Sequence, residues 1–273
     1  MTGSRRREPA DQPTRRQRRA QAREERSDKR PARRRAAEPT PLWRSPMVLL
    51  TGAALAIGLA VIGFAVLSRP AATIDDLVPP LSSAPASLAD GRTLGSPTAP
   101  VTVEIWSDFQ CPGCRQLAQR AEPALIEQYV VPGVARLVYR DAAFQGARVG
   151  GPYDESVEAA AGARCAAEQN KFWVMHDWIF ANWNGENEGA FRAERLRAIA
   201  AEAGVDIAAW DACMATGEQQ QAARDETSTG VAAGVHVTPS LFINGQLYPG
   251  GLSLAEIAAA IEAAAAAVAS PSP

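Results

Sequence analysis

Two cysteines three positions apart, Cys111 and Cys114 in SDFQCPGCRQL (Ser107–Leu117), constrain this chain more than any other feature. Only four cysteines occur in 273 residues, and these two stand where one local pattern gives way to another. Upstream, Val101-Thr-Val-Glu-Ile-Trp106 is β-branched and apolar, bounded by Pro100 and Ser107, and reads as a buried strand. Downstream, CPGCRQLAQRAEPALIEQYV is helical in pattern, interrupted at Pro123, where a proline kinks or splits a helix. Val134–Tyr139 is a second strand. Strand, helix and strand of these lengths form a βαβ unit with parallel strands.

The pair has three possible uses. Structural zinc needs four ligands in close pairs, yet Cys165, Cys213, His176 and His236 are scattered singly. A stabilising clip gains little, because a loop this short hardly restricts the unfolded chain. Redox chemistry explains more. Cys111 opens a helix, beside unpaired N–H groups and the positive end of the dipole, which favour a thiolate. Pro112 suits the first turn. Cys114 sits one turn deeper, placed to resolve a mixed disulfide.

A second element lies about 125 residues on, in Gly234-Val-His-Val-Thr-Pro-Ser240, just before a strand. Proline there is explained either by a strand start or by a cis Thr238–Pro239 bond. With the CxxC upstream, the cis reading is preferred. The loop Val237-Thr238-Pro239 then faces Cys111 and offers backbone to an extended substrate.

Between these elements the pattern is helical. Phe172, Met175 and Ile179 recur at i, i+3 and i+7, and further helices are expected over Arg192–Ala203 and Ile207–Thr216. Ser240–Ile243, Asn244-Gly245 and Gln246–Tyr248 read as strand, turn and strand. Ser253–Glu256 is a capping box opening the last, alanine-rich helix. The fold expected is a mixed sheet with a helical insertion.

Residues 1–90 are of another kind. Met47–Leu67 runs 21 residues without a charge, roughly 30 Å of helix and about the thickness of a bilayer core. Arg5–Arg44 carries 15 Lys/Arg against 6 Asp/Glu. A disordered basic arm (1–46), cytoplasmic and touching anionic membrane lipid, is therefore expected before a single transmembrane helix (47–67). The Pro/Ala/Ser-rich segment 68–90 reads as an extended tether of up to ~70 Å, and 91–273 as the extracytoplasmic domain. Walker, dinucleotide and metal-ligand motifs are absent from the sequence, so no cofactor and no metal is expected. Topology accounts for the basic arm without nucleic acid.

GRTLGSPTAPVTVEIWSDFQCPGC, VARLVYRDAAF, CAAEQNKFWVMHDWIF and GVHVTPSLFINGQLYPGG together resemble the DsbA-like thiol–disulfide oxidoreductases of the thioredoxin superfamily. The likeness covers nearly all of 91–264. It implies an α/β thioredoxin-like fold with an inserted helical domain at about 152–226, and a role in forming disulfides in exported proteins with cysteine pairs. Carried over, Cys111 attacks or is attacked, Cys114 resolves, and Thr238-Pro239 shapes the substrate groove. A DsbB- or VKOR-like membrane quinone reductase is the implied reoxidising partner.

Departures from that pattern are specific. The dipeptide Pro112-Gly113 lacks the histidine of the strongly oxidising prototype. The relay carboxylate six residues before the first cysteine is replaced by Ile105; Glu104 is one step off, on the opposite face of a strand. Asp108 is expected as a solvated turn residue, His236 either at the active-site rim or as a free-standing loop histidine, and His176 as structural or at the surface. With Cys111 and Cys114 paired locally, Cys165–Cys213 is the second bridge, worth roughly 4 kcal/mol by loop entropy. Three functions remain open: oxidase, reductase or isomerase, and a binding module without turnover.

Overall fold

The computed structural model describes residues 15–16, 19–20, 23, 46–67, 74–146, 153–249 and 252–270. The chain divides into two units, Met1–Arg69 and Pro70–Pro273. Most of the expected arm lies outside the described residues. In the first unit the uncharged run forms helix α1 (Pro46–Leu67). The side chains at 46, 49, 63 and 65–67 are outside the described set. Among the described residues no helix is long and apolar enough to cross a membrane. The expected anchor is thus not established by the structure.

The second unit is built on a six-stranded sheet of order β1-β2-β4-β3-β5-β6. Its strands are β1 (Ala89–Asp90), β2 (Thr93–Leu94), β3 (Val101–Ser107), β4 (Ala135–Asp141), β5 (Ser240–Ile243) and β6 (Gln246–Leu247). β3 and β4 run parallel, with Ser107 opposite Asp141; the remaining pairs are antiparallel. β3 is central because it is paired on both edges, and Val101, Val103, Ile105 and Trp106 are all buried. Asn244 and Gly245 both take positive φ, 49° and 79°, the backbone that a two-residue hairpin turn demands.

Between β3 and β4 lie α2 (Pro112–Arg120) and α3 (Glu122–Leu125), the latter continued by a π-helical stretch, Ile126–Val130. The split falls beside Pro123, which has no N–H to continue the first helix. Between β4 and β5 come α4 (Glu155–Ala167), α5 (Phe172–Ala181), α6 (Ala193–Glu202), α7 (Ile207–Thr216) and α8 (Glu218–Ala232). α9 (Leu254–Ala269) follows β6, opened by the capping box of Ser253 and Glu256. Its Ile257 and Ile261, four apart, are wholly buried against β3, β5 and α3, worth about 1.5–3 kcal/mol each. The result is a thioredoxin-like α/β fold with added helices.

The tether expected over 68–90 needs correction from Ile74 onward. Val78 exchanges hydrogen bonds with the Asn182 side chain, at 2.9 Å each way. The Ala84 N–H donates to Asp177 Oδ2 at 2.9 Å, and Asp76 pairs with Arg195 at 3.1 Å. Leu77, Ala84 and Leu88 pack on the core. Proline and serine suppress regular structure here, but they do not prevent docking against helices that offer polar side chains and an apolar edge.

Candidate active site

The strand-to-helix joint is fixed by a buried carboxylate. Asp108 is 2% exposed. Its Oδ1 accepts from the Gln110 N–H at 2.8 Å. Oδ2 accepts from the N–H groups of Phe144 and Gln145, at 2.7 and 2.8 Å, and from Ser156 Oγ at 3.1 Å. Burial pushes its carboxyl up to about 6, against the pull of those four donors. This corrects the expected solvated turn residue: donors from the far end of β4, distant in sequence, close over it. The Asp108 N–H also points at Cys114 Sγ, 3.4 Å away.

Cys111 caps helix α2, with Pro112 in its first turn. Cys111 and Cys114 are free thiols, 5% and 1% exposed. Their environments differ sharply. The Cys111 pKa falls to about 6, first through a hydrogen bond from the Cys114 thiol. Burial opposes this, while Thr238 and the N–H groups of Gly113 and Cys114 reinforce it. Burial pushes Cys114 well above the usual thiol range, and the neighbouring Cys111 adds to the rise. One sulfur is therefore poised as nucleophile and leaving group, while the other holds its proton.

The Thr238–Pro239 peptide bond is cis. The Cys111 thiol donates to the Thr238 carbonyl at 3.3 Å, a contact that by itself favours the protonated form. Gly113 makes the approach possible, since a Cβ there would lie 3.2 Å from Pro239 Cδ and 3.7 Å from Cys111 Sγ. Pro239 is buried, Thr238 half-buried, and Val237 stands 66% exposed beside them. Gly113, Leu117 and Arg120 of α2, with Leu252–Leu254, border an adjoining cleft of about 430 Å³.

Cys165 on α4 and Cys213 on α7 are joined by a disulfide. Ile105 is buried at 2% exposure, whereas Glu104 is half-exposed and pairs with Arg140 at 2.9 Å. His236 is exposed on the loop before Val237. His176 is buried among Phe109, Tyr139, Phe172, Trp173 and Phe180. Phe109, two residues before Cys111, stacks on Tyr139 at 5.2 Å and meets Phe180 at 5.0 Å, so the inserted helices grip the active-site turn directly.

Gln110 is a residue that sequence reasoning passes over. It is wholly buried next to Cys111. Its carbonyl accepts from Trp183 Nε1 at 2.9 Å, its Oε1 accepts from the Asn187 N–H, and its Nε2 donates to Glu155 Oε2 at 3.3 Å. A polar residue before a cysteine carries no periodic signal, and its partners are 45 to 77 positions away.

Asymmetric thiols at a helix start, opposite a cis-proline loop on a mixed sheet, define the site class of a thiol:disulfide oxidoreductase. Known proteins agree with that class. The family model described as thioredoxin matches residues 87–263, and the chain belongs to that family. The protein named "Probable disulfide bond formation protein D" of Bacillus anthracis is 28% identical over 159 residues, 57% of this chain and 70% of that protein. The Na(+)/H(+) antiporter NhaA 3 of Salinispora tropica is 30% identical over 170 residues, 62% of this chain. The match spans only 24% of the antiporter, so its transport activity does not carry over. Among solved structures, oxidised BdbD from Bacillus subtilis aligns with TM-score 0.56 and 19% identity, covering 70% of this chain and 99% of its own. Reduced DsbA from Mycobacterium tuberculosis gives 0.51 and 24%, covering 66% and 97%. These two likenesses show the fold; the family and the curated relative make this chain a thiol:disulfide oxidoreductase.

Proposed function

We propose that the chain is an extracytoplasmic oxidase that donates the Cys111–Cys114 disulfide to exported proteins with cysteine pairs. A substrate thiolate attacks Cys111 Sγ, the Cys111–Cys114 bond breaks, and Cys114 leaves and takes up a proton. The substrate's second thiolate attacks its own sulfur in the mixed disulfide and releases the Cys111 thiolate. Two electrons and two protons leave the substrate dithiol, and the cysteine pair is reduced. Val237, Thr238 and Pro239 present backbone to the substrate, and the cleft beside Gly113 seats its apolar side chains. A DsbB- or VKOR-like membrane quinone reductase takes the electrons onward.

The observation that carries the reading is the placement of the pair, Cys111 at the start of α2 beside the Thr238–Pro239 loop with Cys114 buried behind it, which drives the two thiols' pKa values apart. A stabilised Cys111 thiolate favours the reduced enzyme, and hence transfer of the disulfide outward. The Cys165–Cys213 bridge supports an oxidising compartment. The uncharged helix α1 and the basic residues before it support a single-pass anchor with a cytoplasmic arm near anionic lipid.

The test is the reduction potential of the Cys111–Cys114 couple in the full chain, equilibrated against glutathione. A value toward about −120 mV supports the oxidase. A value near about −270 mV turns the same chemistry into reduction or isomerisation of exported thiols. A non-catalytic binding module would keep its ligands in Cys111→Ser; an oxidoreductase loses exchange.

A further inference from the structure

Beside Cys111 the protein builds a rigid rim that the exchange chemistry does not use. Its base is Glu155, 4% exposed. Glu155 Oε1 accepts from the Gly189 N–H at 2.8 Å, and Oε2 accepts from the Phe191 N–H at 3.0 Å and from Gln110 Nε2. Gln110 in turn holds the Asn187 N–H and the indole N–H of Trp183. The connection between α5 and α6 is thus tied at four points to the residue preceding the nucleophile or to its carboxylate partner. Such satisfied buried polar groups fix geometry more than they add stability.

On this rim sits a cation. Arg115 follows Cys111 by four residues and closes the first turn of α2, its N–H donating to the Cys111 carbonyl at 3.1 Å. The guanidinium carbon of Arg115 lies 5.4 Å from the Trp183 ring centroid, and its Nε donates to the Phe180 carbonyl at 3.2 Å. Both contacts restrain the side chain. Among the described residues its two Nη groups donate to no acceptor and pair with no carboxylate. The side chain is half-exposed. A guanidinium held over an indole, with its outer donors unused, is prepared to take a carboxylate. Glu186 and Glu188 on the same connection are exposed, where water and salt screen them.

We infer that Arg115 on Trp183 is a specificity subsite that reads an Asp or Glu side chain close to the reacting cysteine of the polypeptide substrate. The reach fits. Two residues of extended chain span about 6.6 Å and return a side chain to the same face, so a carboxylate two positions from a cysteine held at Cys111 meets the Arg115 donors. The inference rests on the proposed exchange at Cys111.

The test uses the oxidised full-length protein and two reduced peptides. Each carries a cysteine pair, and they differ only in Asp or Asn two positions from the first cysteine. Each rate is divided by the same peptide's rate with oxidised glutathione, which removes the effect of the carboxylate on the cysteine itself. The expected Asp:Asn ratio is about threefold at low salt, falling toward one in concentrated salt. Arg115→Lys keeps most of the ratio, Arg115→Gln brings it to one, and Arg115→Glu inverts it. A wild-type ratio of one, a ratio indifferent to salt, or an unchanged ratio in Arg115→Gln overturns the inference. If Arg115→Gln does not fold, the salt dependence of the wild type and the Lys variant decide alone. Failure of the underlying exchange has a different signature: neither peptide nor dithiothreitol reduces the oxidised protein.

Discussion

Gly113 and Pro239 face each other so closely that a single methyl group at 113 would lie 3.2 Å from the proline Cδ. The start of α2 and the loop before β5 can therefore meet at Cys111 only because one of them lacks a side chain. Gly113→Ala forces the loop to give by a few tenths of an ångström, which loosens the Thr238 side-chain contact that helps to lower the Cys111 pKa. We expect the midpoint of Cys111 alkylation to rise by about half a unit. An unshifted midpoint would mean that the loop carries no share of thiolate stabilisation.

The larger share belongs to Cys114, whose hydrogen bond is the leading cause of the low Cys111 value. In the reduced protein, iodoacetamide reactivity should titrate near pH 6, with Cys114 unreactive at neutral pH because burial holds it protonated. Replacing the donor in Cys114→Ala should move the Cys111 midpoint upward by about one unit. Absorbance of the thiolate near the far-ultraviolet edge gives an independent reading of the same shift.

Parts of this site are legible in the sequence and parts are not, for physical reasons. CPGC after a β-branched run, Thr238-Pro239 before a strand, Asn244-Gly245 and the Ser253–Glu256 box are each local signals, and each stands where local chemistry puts it. Helix α4 escapes because it is buried nearly all round and made of alanine, so it shows no polar stripe. Helix α8 escapes for the opposite reason, burying only Ala223 and Gly230. β1 and β2 are two residues each, too short for any periodicity. Asp108 reads as a turn residue and Gln110 is passed over because the groups that bury them lie on β4's exit and on the α5–α6 connection.

Asp108 supplies a sharp test of that burial. In Asp108→Asn one acceptor oxygen becomes an NH₂ that faces other donors, among them the N–H groups of Phe144 and Gln145 or that of Gln110. The expected loss is roughly 2–4 kcal/mol in urea unfolding. A solvated turn carboxylate would change stability by less than about 0.5 kcal/mol, so the two cases separate cleanly.

The Cys165–Cys213 bridge closes a separation of 48 residues and joins α4 to α7. Removing it in a Cys165→Ala, Cys213→Ala double variant should cost about 4 kcal/mol on the loop-entropy scale, with native strain reducing the figure. The bridge lies within the helices rather than at CPGC, so the rate of exchange at Cys111 should hold in the folded variant. Thermal unfolding and a stopped-flow exchange assay measure the two quantities separately.

The strongest pH effect should come from Glu122, beneath the docked segment around Ala84. Burial pushes its carboxyl from 4.5 up to about 7, the charge of Asp177 adds to the rise, and only His176, 3.6 Å away, opposes it. A carboxyl with a raised folded pKa binds its proton more tightly folded than unfolded. Stability therefore falls as pH rises from about 4.5 to about 7, and the loss is complete above that window. Asp108 and Asp141, both pushed up to about 6 by burial, act in the same sense. So does His176: burial lowers its pKa, but the hydrogen bond to Asp177 and the charges of Glu122 and Asp177 raise it overall. Its share of stability is present below its unfolded value and lost as pH climbs through the folded one. Glu226, held down to about 2, loses its contribution only in acid below about 4.5. The stability maximum should accordingly lie near pH 5 rather than at neutrality. Glu122→Gln cannot ionise, so it should gain roughly 2–3 kcal/mol on the wild type at pH 8 relative to pH 5. Urea unfolding at the two pH values measures that difference, and parallel stabilities for the two proteins would show that Glu122 is not ionised against its burial.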